Sequence, residues 1–142
     1  MSDMPITSEA AAELLKKRGM GELADRMGIK LLELSAERSV ATMPVEGNRQ
    51  PLGLVHGGAY VVLAESLGSF AATVWASTMG KVAVGIEVNA SHSRSAKEGL
   101  VTGTCTSISL GRSLTTHEIA ITDDAGRRLS TVRITNFLRE LN

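Results

Sequence analysis

The sequence has only one cysteine, Cys105, among its 142 residues. One cysteine cannot form an internal disulfide, and it does not supply the thiolates that a zinc site usually has. The net charge is zero, with 15 Lys and Arg against 15 Asp and Glu. Because nucleic-acid-binding proteins usually carry a basic excess, this balance argues against such a partner. We expect no thiolate zinc site and no nucleic-acid partner.

Aromatic residues make up 3% of the chain, so the core must be built from Val, Leu, Ile, Ala and Met. The N-terminus has no apolar core of the signal-peptide type. No uncharged run is longer than that from Ser66 to Gly80, which contains Ser, Thr and Gly and is too short to span a bilayer. We therefore expect a soluble cytoplasmic protein without a membrane partner.

The hydrophobic pattern predicts one α+β domain over residues 1–142, with a helical segment in residues 1–27 and a core in residues 28–139. Thr7 or Ser8 can cap a first helix, and GELADRMG favours a short second helix. Two strands, a long helix and several alternating or Thr-rich strands follow. The expected architecture is one long buried helix against an antiparallel sheet of five or six strands.

The long helix is expected to run from Gly57 to about Met79, with two different faces. The large apolar face, fit to pack into a curved sheet, carries Tyr60, Leu63, Leu67, Phe70 and Val74. The opposite face carries Gly58, Val61, Glu65, Gly68, Ser69, Ala72 and Ala76. Since most of these residues are small, that face leaves room for another helix, a subunit or a ligand. In the strand that follows, the core-facing side should carry Val82, Val84, Ile86 and Val88.

Glu65 is the one charged side chain in the stretch HGGAYVVLAESLGSFAATVWAS. A carboxylate is rarely buried unless it is paired or used, although such a group can also serve structure. The HGG that opens the helix offers backbone N–H groups to an anion or to the oxyanion of an acyl-transfer intermediate. Because Gly57 lies about 12 Å from Glu65 along a helix, one carbonyl cannot touch both in one chain. We expect a dimer with shared sites, formed by antiparallel helices.

The segments NRQPLGLVHGGAYVVLAESLGS, GIEVNASHSRSAKEG and SLGRS resemble the hotdog-fold acyl-CoA thioesterases. The most similar branch contains 4-hydroxybenzoyl-CoA thioesterase of the Arthrobacter type, 1,4-dihydroxy-2-naphthoyl-CoA hydrolases and phenylacetate-pathway thioesterases. The resemblance covers roughly residues 25–138. It implies a hotdog fold, with the long helix wrapped by the sheet, that pairs into dimers and commonly tetramers. It also implies no metal or cofactor, since CoA is part of the substrate.

The resemblance implies a role for each residue of the motif. Glu65 matches the catalytic carboxylate, as nucleophile or as general base for water, and the Gly57 N–H matches the oxyanion donor. Gln50 and His56 match residues that bind or polarise the thioester carbonyl, and Ser69 matches a residue that positions the hydrolytic water. His56 could instead merely cap the helix, and Ser69 could bond its own backbone.

The resemblance places the CoA nucleotide near His92 and Arg94, which continue the parity of the core-facing valines. A core face should not end in His and Arg unless it emerges at a rim. Arg112 and Ser113 are second candidates, because a guanidinium fork and a hydroxyl suit phosphate.

The function indicated is hydrolysis of an acyl-CoA to the free acid and CoA. The branch favours an aromatic acyl group, although a medium-chain group fits the same reasoning. One alternative is a hotdog enoyl-CoA hydratase or dehydratase, whose loop typically pairs an Asp with the His before the helix. Here the loop has Asn48 and His56 but no Asp. The other alternative is a non-catalytic module that binds acyl-CoA.

Overall fold

The computed structural model describes residues 6–141. Helices and strands follow one another in the order that the sequence predicts. They are α1 (Ser8–Arg18), α2 (Glu22–Met27), β1 (Lys30–Leu34), β2 (Arg38–Pro44), α3 (Gly57–Ser77), β3 (Lys81–His92), β4 (Leu100–Leu110), β5 (Leu114–Thr122) and β6 (Arg128–Glu140). The N-terminal helix, the long central helix and the strands on either side of it are confirmed.

The six strands form one antiparallel sheet in the order β1-β2-β4-β5-β6-β3. The sheet wraps around α3, whose side chains Leu63, Leu67 and Val74 are fully buried against it. Burial of one such side chain contributes about 1.5–3 kcal/mol. Tyr60 is also buried, and Phe70 is partly buried. This is the hotdog architecture, and the large apolar face predicted for the helix is the one that packs.

The two short N-terminal helices lie on the outside of this core. Thr7 caps α1, because its hydroxyl accepts a hydrogen bond from the Ala10 N–H at 3.1 Å. α2 ends at Gly28, which is left-handed (φ 74°) and lies against Pro44. Ala24 anchors α2 to the main core. α2 thereby contacts α3, and its residues Leu23 and Ala24 line the same cleft as Glu65.

The predicted facing of β3 is wrong over part of the strand. Val84 and Ile86 are exposed, at 42% and 58% of their surface, whereas Val88 packs on the core. The register of β3 against β6 shifts between Gly85 and Glu87. Such a bulge inserts one residue and reverses the facing of the residues before it relative to those after it. Strict alternation from Val82 to Val88 therefore does not hold.

The small-residue face predicted for α3 is also wrong in part. Gly68, Ala72 and Ala76 are buried within the single chain. A Cβ on Gly68 would come 2.3 Å from Ile134 of β6, so this glycine allows the helix to approach the sheet closely. Glu65 and Gly58 are exposed. The face left open to a partner or ligand is thus narrower than the sequence suggested.

α3 is long and apolar enough to span a membrane by length and composition, with a mean hydropathy of 1.3 over its best window. However, 56% of that window is buried inside the molecule. Its apolar character is that of a core helix packed in the sheet.

Candidate functional site

The N-terminus of α3 is shaped by His56 and two glycines. His56 is the N-cap, and its Nδ1 accepts a hydrogen bond from the Gly58 N–H at 2.8 Å. Since Nδ1 accepts, a neutral His56 ring carries its proton on Nε2 and can donate it outward. Among residues 6–141, no group accepts a hydrogen bond from the Gly57 N–H. The helix start therefore offers a backbone donor and an imidazole donor.

His92 lies against this helix start. A Cβ on Gly57 would come within 2.9 Å of the His92 ring, so any larger residue here would require the ring to shift. Nδ1 of His92 lies 2.8 Å from the Ser130 hydroxyl, which itself donates to the Ser91 carbonyl at 3.2 Å. Because the one hydroxyl proton goes to that carbonyl, the His92 Nδ1–H donates to Ser130. In the neutral ring, Nε2 is then an acceptor facing the Gly57 end of the helix.

Gln50 is oriented by its own loop. Its backbone N–H donates to the Leu54 carbonyl at 2.8 Å, and its side-chain Oε1 accepts a hydrogen bond from the Leu52 N–H. The Asn48 amide ties the loop to the ends of α2 and β2, donating to the Met27 and Pro44 carbonyls at 2.7 and 2.8 Å. With its oxygen engaged in the loop, the Gln50 side chain presents its NH₂ group as the free donor.

One cleft brings together four of the predicted site residues. It is lined by Gln50, Val55, Gly57, Tyr60, His92, Ser93, Arg94 and Ser95. We call it the amide cleft. His56 faces the neighbouring depression with Asn48 and Gly58. The amide cleft thus combines backbone and side-chain N–H donors with an exposed guanidinium, an arrangement suited to a carbonyl with an anionic extension.

Glu65 and Ser69 line a different cleft on the same helix, which we call the carboxylate cleft. Its other lining residues are Met20, Leu23, Ala24, Val62, Ser66 and Phe70. The Ser69 hydroxyl makes no hydrogen bond among residues 6–141, whereas the nearby Thr73 hydroxyl bonds the Ser69 carbonyl at 2.7 Å. The Ser69 hydroxyl is thus not engaged with its own helix. Within one chain, the carboxylate and the N–H donors lie in separate clefts.

Arg112 and Ser113 do not join either cleft. They lie in the β4–β5 turn, where the Gly111 carbonyl accepts a hydrogen bond from the Trp75 indole at 2.7 Å and the Arg112 carbonyl accepts one from Lys81 at 2.6 Å. This is the C-terminal end of α3, about 30 Å from its N-terminus for a helix of this length. Within one chain, these residues are therefore remote from Arg94.

The structure adds two residues that the sequence analysis had not assigned to the site. Ser130 fixes the His92 ring, and the Tyr60 hydroxyl donates to the Arg94 carbonyl at 3.2 Å while its ring lies 5.2 Å from that of His92. Burial, and to a smaller extent the nearby Asp123, raises the pKa of Tyr60, which keeps its hydroxyl protonated as a donor. Ser130 lies 38 residues from His92, so no local motif could link them. Among residues 6–141, no cluster of three or more His, Cys, Asp or Glu side chains could hold a metal ion.

Comparison with known proteins identifies the family. A family model described as the thioesterase superfamily matches residues 52–130. The 1,4-dihydroxy-2-naphthoyl-CoA hydrolase of Escherichia coli is 42% identical over 87% of this chain and 90% of its own length. The proofreading thioesterase EntH of Cronobacter turicensis is 42% identical over 86% of this chain and 89% of its own.

The fold comparison agrees with the sequence comparison. A crystal structure of a variant of the thioesterase PA1618 from Pseudomonas aeruginosa superposes with a TM-score of 0.84 and 37% identity, covering 92% of this chain and 94% of that one. The resemblance found in the sequence is confirmed, as is the assignment to thioester hydrolysis. The chain is a hotdog-fold thioester hydrolase that belongs to the thioesterase superfamily.

Proposed function

We propose that this chain hydrolyses an acyl-CoA, with an aromatic acyl group as the preferred substrate, in the cytoplasm. One observation carries the proposal. The free Gly57 N–H and the Gln50 amide line one cleft, while Glu65 lies eight residues further along the same helix in another. Donors for an oxyanion and a carboxylate for attack are the two halves that thioester hydrolysis requires.

In the proposed mechanism, the Gly57 N–H stabilises the oxyanion that forms on the thioester carbonyl. The Gln50 NH₂, which lines the same cleft, polarises this oxygen, and the His56 Nε2–H assists from the neighbouring depression. Glu65 either attacks the carbonyl carbon, giving an anhydride that water then hydrolyses, or removes a proton from an attacking water. In both routes the C–S bond breaks and CoA leaves as thiolate. A thiol has a pKa of about 8.5, so a strong general acid is not required.

The two clefts meet, we propose, only between chains. Gly57 and Glu65 are separated by about 12 Å along α3, and pairing two α3 helices antiparallel places the carboxylate of one beside the N-terminus of the other. β3 supports this arrangement, because it is a twelve-residue edge strand with Val84 and Ile86 exposed. An exposed edge strand presents unpaired N–H and C=O groups with which another chain can pair. Each dimer would hold two shared sites, and a tetramer would pair two dimers.

The walls of the clefts support the substrate class. Arg94 and His92 are exposed beside Gln50, where they can meet the phosphates and nucleotide of CoA. The carboxylate cleft is apolar around Glu65, with Met20, Leu23 and Phe70 as its walls. Phe70 and Met20 offer ring-edge and thioether contacts to an aromatic acyl group. Arg112 and Ser113 would contact CoA only at a site completed by another protomer.

The name of the E. coli relative, 1,4-dihydroxy-2-naphthoyl-CoA hydrolase, agrees with an aromatic acyl-CoA substrate. The proposed reaction uses no metal or cofactor. CoA enters only as part of the substrate.

The test is release of free thiol from a panel of aromatic and aliphatic acyl-CoA esters, measured for the wild type and for Glu65→Gln. The amide cannot act as base or nucleophile, so kcat should fall on the order of 100-fold or more. Glu118→Gln, on an exposed position of β5, is the matched control and should retain full activity. Near-normal turnover by Glu65→Gln would remove this carboxylate from the mechanism. Absence of thiol release from every ester, with hydration of an enoyl-CoA instead, would replace the proposal by the hydratase alternative.

A further inference from the structure

A fully buried asparagine on β6 has no hydrogen-bond partner. Among residues 6–141, the buried side-chain nitrogen and oxygen atoms without a partner belong to three residues, Thr115, His117 and Asn136. In Asn136 both Oδ1 and Nδ2 are unpaired, although the side chain has no exposed surface. An unpaired buried amide costs stability, so its presence calls for a compensating role.

The position of Asn136 connects it to Glu65. Asn136 is directly opposite Gly85 of β3 in the sheet register. A Cβ on Gly85 would lie 3.6 Å from the Asn136 Oδ1 and 3.5 Å from the Glu65 Oε2. The two oxygens are therefore no more than about 7 Å apart, since both lie that close to the same point. One water can bridge polar atoms separated by about 5.5 Å.

Gly85 provides the opening between them. Its φ is not in the left-handed region, so the backbone there does not require glycine. Because Gly85 has no side chain, the sheet surface has a gap at this position, and the Glu65 carboxylate faces Asn136 across it. Glu65 itself makes no ion pair or hydrogen bond with residues 6–141. A carboxylate with no donor and a buried amide with no acceptor thus flank one gap.

We propose that Asn136 is a positioning residue for Glu65. Its side-chain NH₂ donates a hydrogen bond to the Glu65 carboxylate, directly or through one water, and holds the carboxylate in the direction of the thioester carbon. The two ends of an amide exchange by a half-turn of the side chain, which brings the NH₂ to the side of Gly85. This inference rests on the proposed function, because it assigns Asn136 a role only through Glu65.

The decisive variant is Asn136→Leu, which keeps the size and removes the polar atoms. Because the amide has no other partner and the Glu65 carboxylate is exposed to water that can replace this one bond, the variant should unfold at about the same temperature as the wild type or higher. Its kcat should nevertheless fall by about 10- to 100-fold, as expected when a reacting group is misaligned, with KM within about two-fold. A merely structural asparagine would show a loss of stability and no such selective loss of kcat.

Thr115→Val is the matched control. Thr115 is paired with Asn136 on the next strand and its hydroxyl is also buried and unpaired, but it is one strand further from Gly85. The substitution should leave kcat unchanged. If Thr115→Val lost as much kcat as Asn136→Leu, the effect would belong to the buried unpaired polar residues in general. The specific role of Asn136 would then be overturned.

A double-mutant cycle separates this inference from the proposed function. If Asn136 acts through Glu65, then adding Asn136→Leu to Glu65→Gln should cause no further loss of kcat. Equal losses in both backgrounds would overturn the inference. A wild type that is active and dependent on Glu65, beside an Asn136→Leu variant of normal kcat, would defeat the inference alone. A wild type that releases no thiol would defeat the proposed function instead.

Gly85→Ala gives a second route if Asn136→Leu does not fold. The new methyl group would make ordinary contacts at 3.5 and 3.6 Å, so the fold should survive. It would fill the gap between the two side chains, and kcat should fall as for Asn136→Leu. A folded Gly85→Ala protein with wild-type kcat would contradict the inference.

Discussion

The imidazole of His92 lies directly over Gly57, so that a Cβ at residue 57 would come within 2.9 Å of its Cδ2 and Nε2 atoms. Gly57 has no unusual backbone conformation. The glycine is therefore explained by the contact with His92 and by the access that it leaves to the N–H group. The ring is held in place by Ser130 at 2.8 Å, so it cannot easily move aside.

Gly57→Ala is expected to destabilise the protein through this contact, and His92→Ala should relieve the effect. Gly57→Ala should lower the unfolding temperature strongly when His92 is present and only slightly in the His92→Ala background. Thermal unfolding of the four proteins, at one protein concentration, measures the coupling. Additive losses would show that the methyl group and the ring do not meet.

The two possible roles of His56 can be separated by substitution. His56→Ala removes the N-cap of α3 and should cost about 1 kcal/mol of stability as well as activity. His56→Asn keeps a side chain that caps well, so stability should be close to that of the wild type while kcat falls, because the Nε2–H donor is lost. Chemical denaturation and thiol-release assays on both variants check this. Full activity in His56→Asn would reduce His56 to a cap.

Shared sites predict complementation between two inactive proteins. Dimers of Glu65→Gln lack the carboxylate in both sites, and dimers of Gln50→Ala lack the amide in both. Mixing and refolding the two should restore about a quarter of wild-type activity, since half of the random dimers are mixed and each has one intact site. The control is each variant refolded alone. No recovery, with mixed dimers shown to be present, would mean that each site belongs to one chain.

Cys105 should be inert in the folded protein. The thiol is fully buried, and burial raises its pKa to about 11, partly offset by a hydrogen bond with Ser39. Since the thiolate is the reactive form, a disulfide reagent at neutral pH should find no thiol in the native protein and one in denaturant. Rapid labelling of the native protein would contradict this burial. The same measurement shows that thiol-release assays need no correction for the enzyme.

His117 should make the protein less stable in mild acid. Burial lowers the pKa of His117 below its ordinary value of 6.5, although the bond to the Ala36 carbonyl and the Glu37 charge oppose this. Below that ordinary value the unfolded chain binds a proton that the folded chain does not, so stability is lost as the pH falls. The unfolding temperature should therefore drop between about pH 7.5 and about pH 5.5.

His117→Gln keeps a donor for Ala36 and removes the titration. Its unfolding temperature should drop less over the same pH range. An equal drop in both proteins would assign the acid sensitivity to other groups.

Much of the fold could be predicted because it follows from local patterns. The cap at Thr7, the large apolar face of α3 and the alternation of β5 each depend on residues close together in the chain. Which residues of β3 face the core could not be predicted, because the bulge near Gly85 is defined by the pairing of β3 with β6. The small residues of α3 were also ambiguous, since glycine and alanine suit a close sheet as well as a partner helix.

The candidate site was predicted as a set of residues rather than as an arrangement. Gln50, Gly57, His92 and Arg94 do share one cleft, but Arg112 is at the far end of the molecule. Asn136 gave no signal in the sequence, because a single asparagine in a strand indicates neither burial nor the loss of its partners. The burial of Asn136 and its lack of hydrogen-bond partners both depend on contacts between segments that are distant in the sequence.

Gly68 has a consequence for how this scaffold could diversify. There is no room for a methyl group between Gly68 and Ile134, so Gly68 sets how closely α3 packs on the sheet. Ile134 also borders the gap at Gly85. The distance between the helix and the sheet is therefore set by a residue that lies outside both clefts. A larger residue at position 68 would raise Glu65 away from β3 without altering any functional group. Redesign of the enzyme for a larger acyl group could therefore begin with substitutions at position 68.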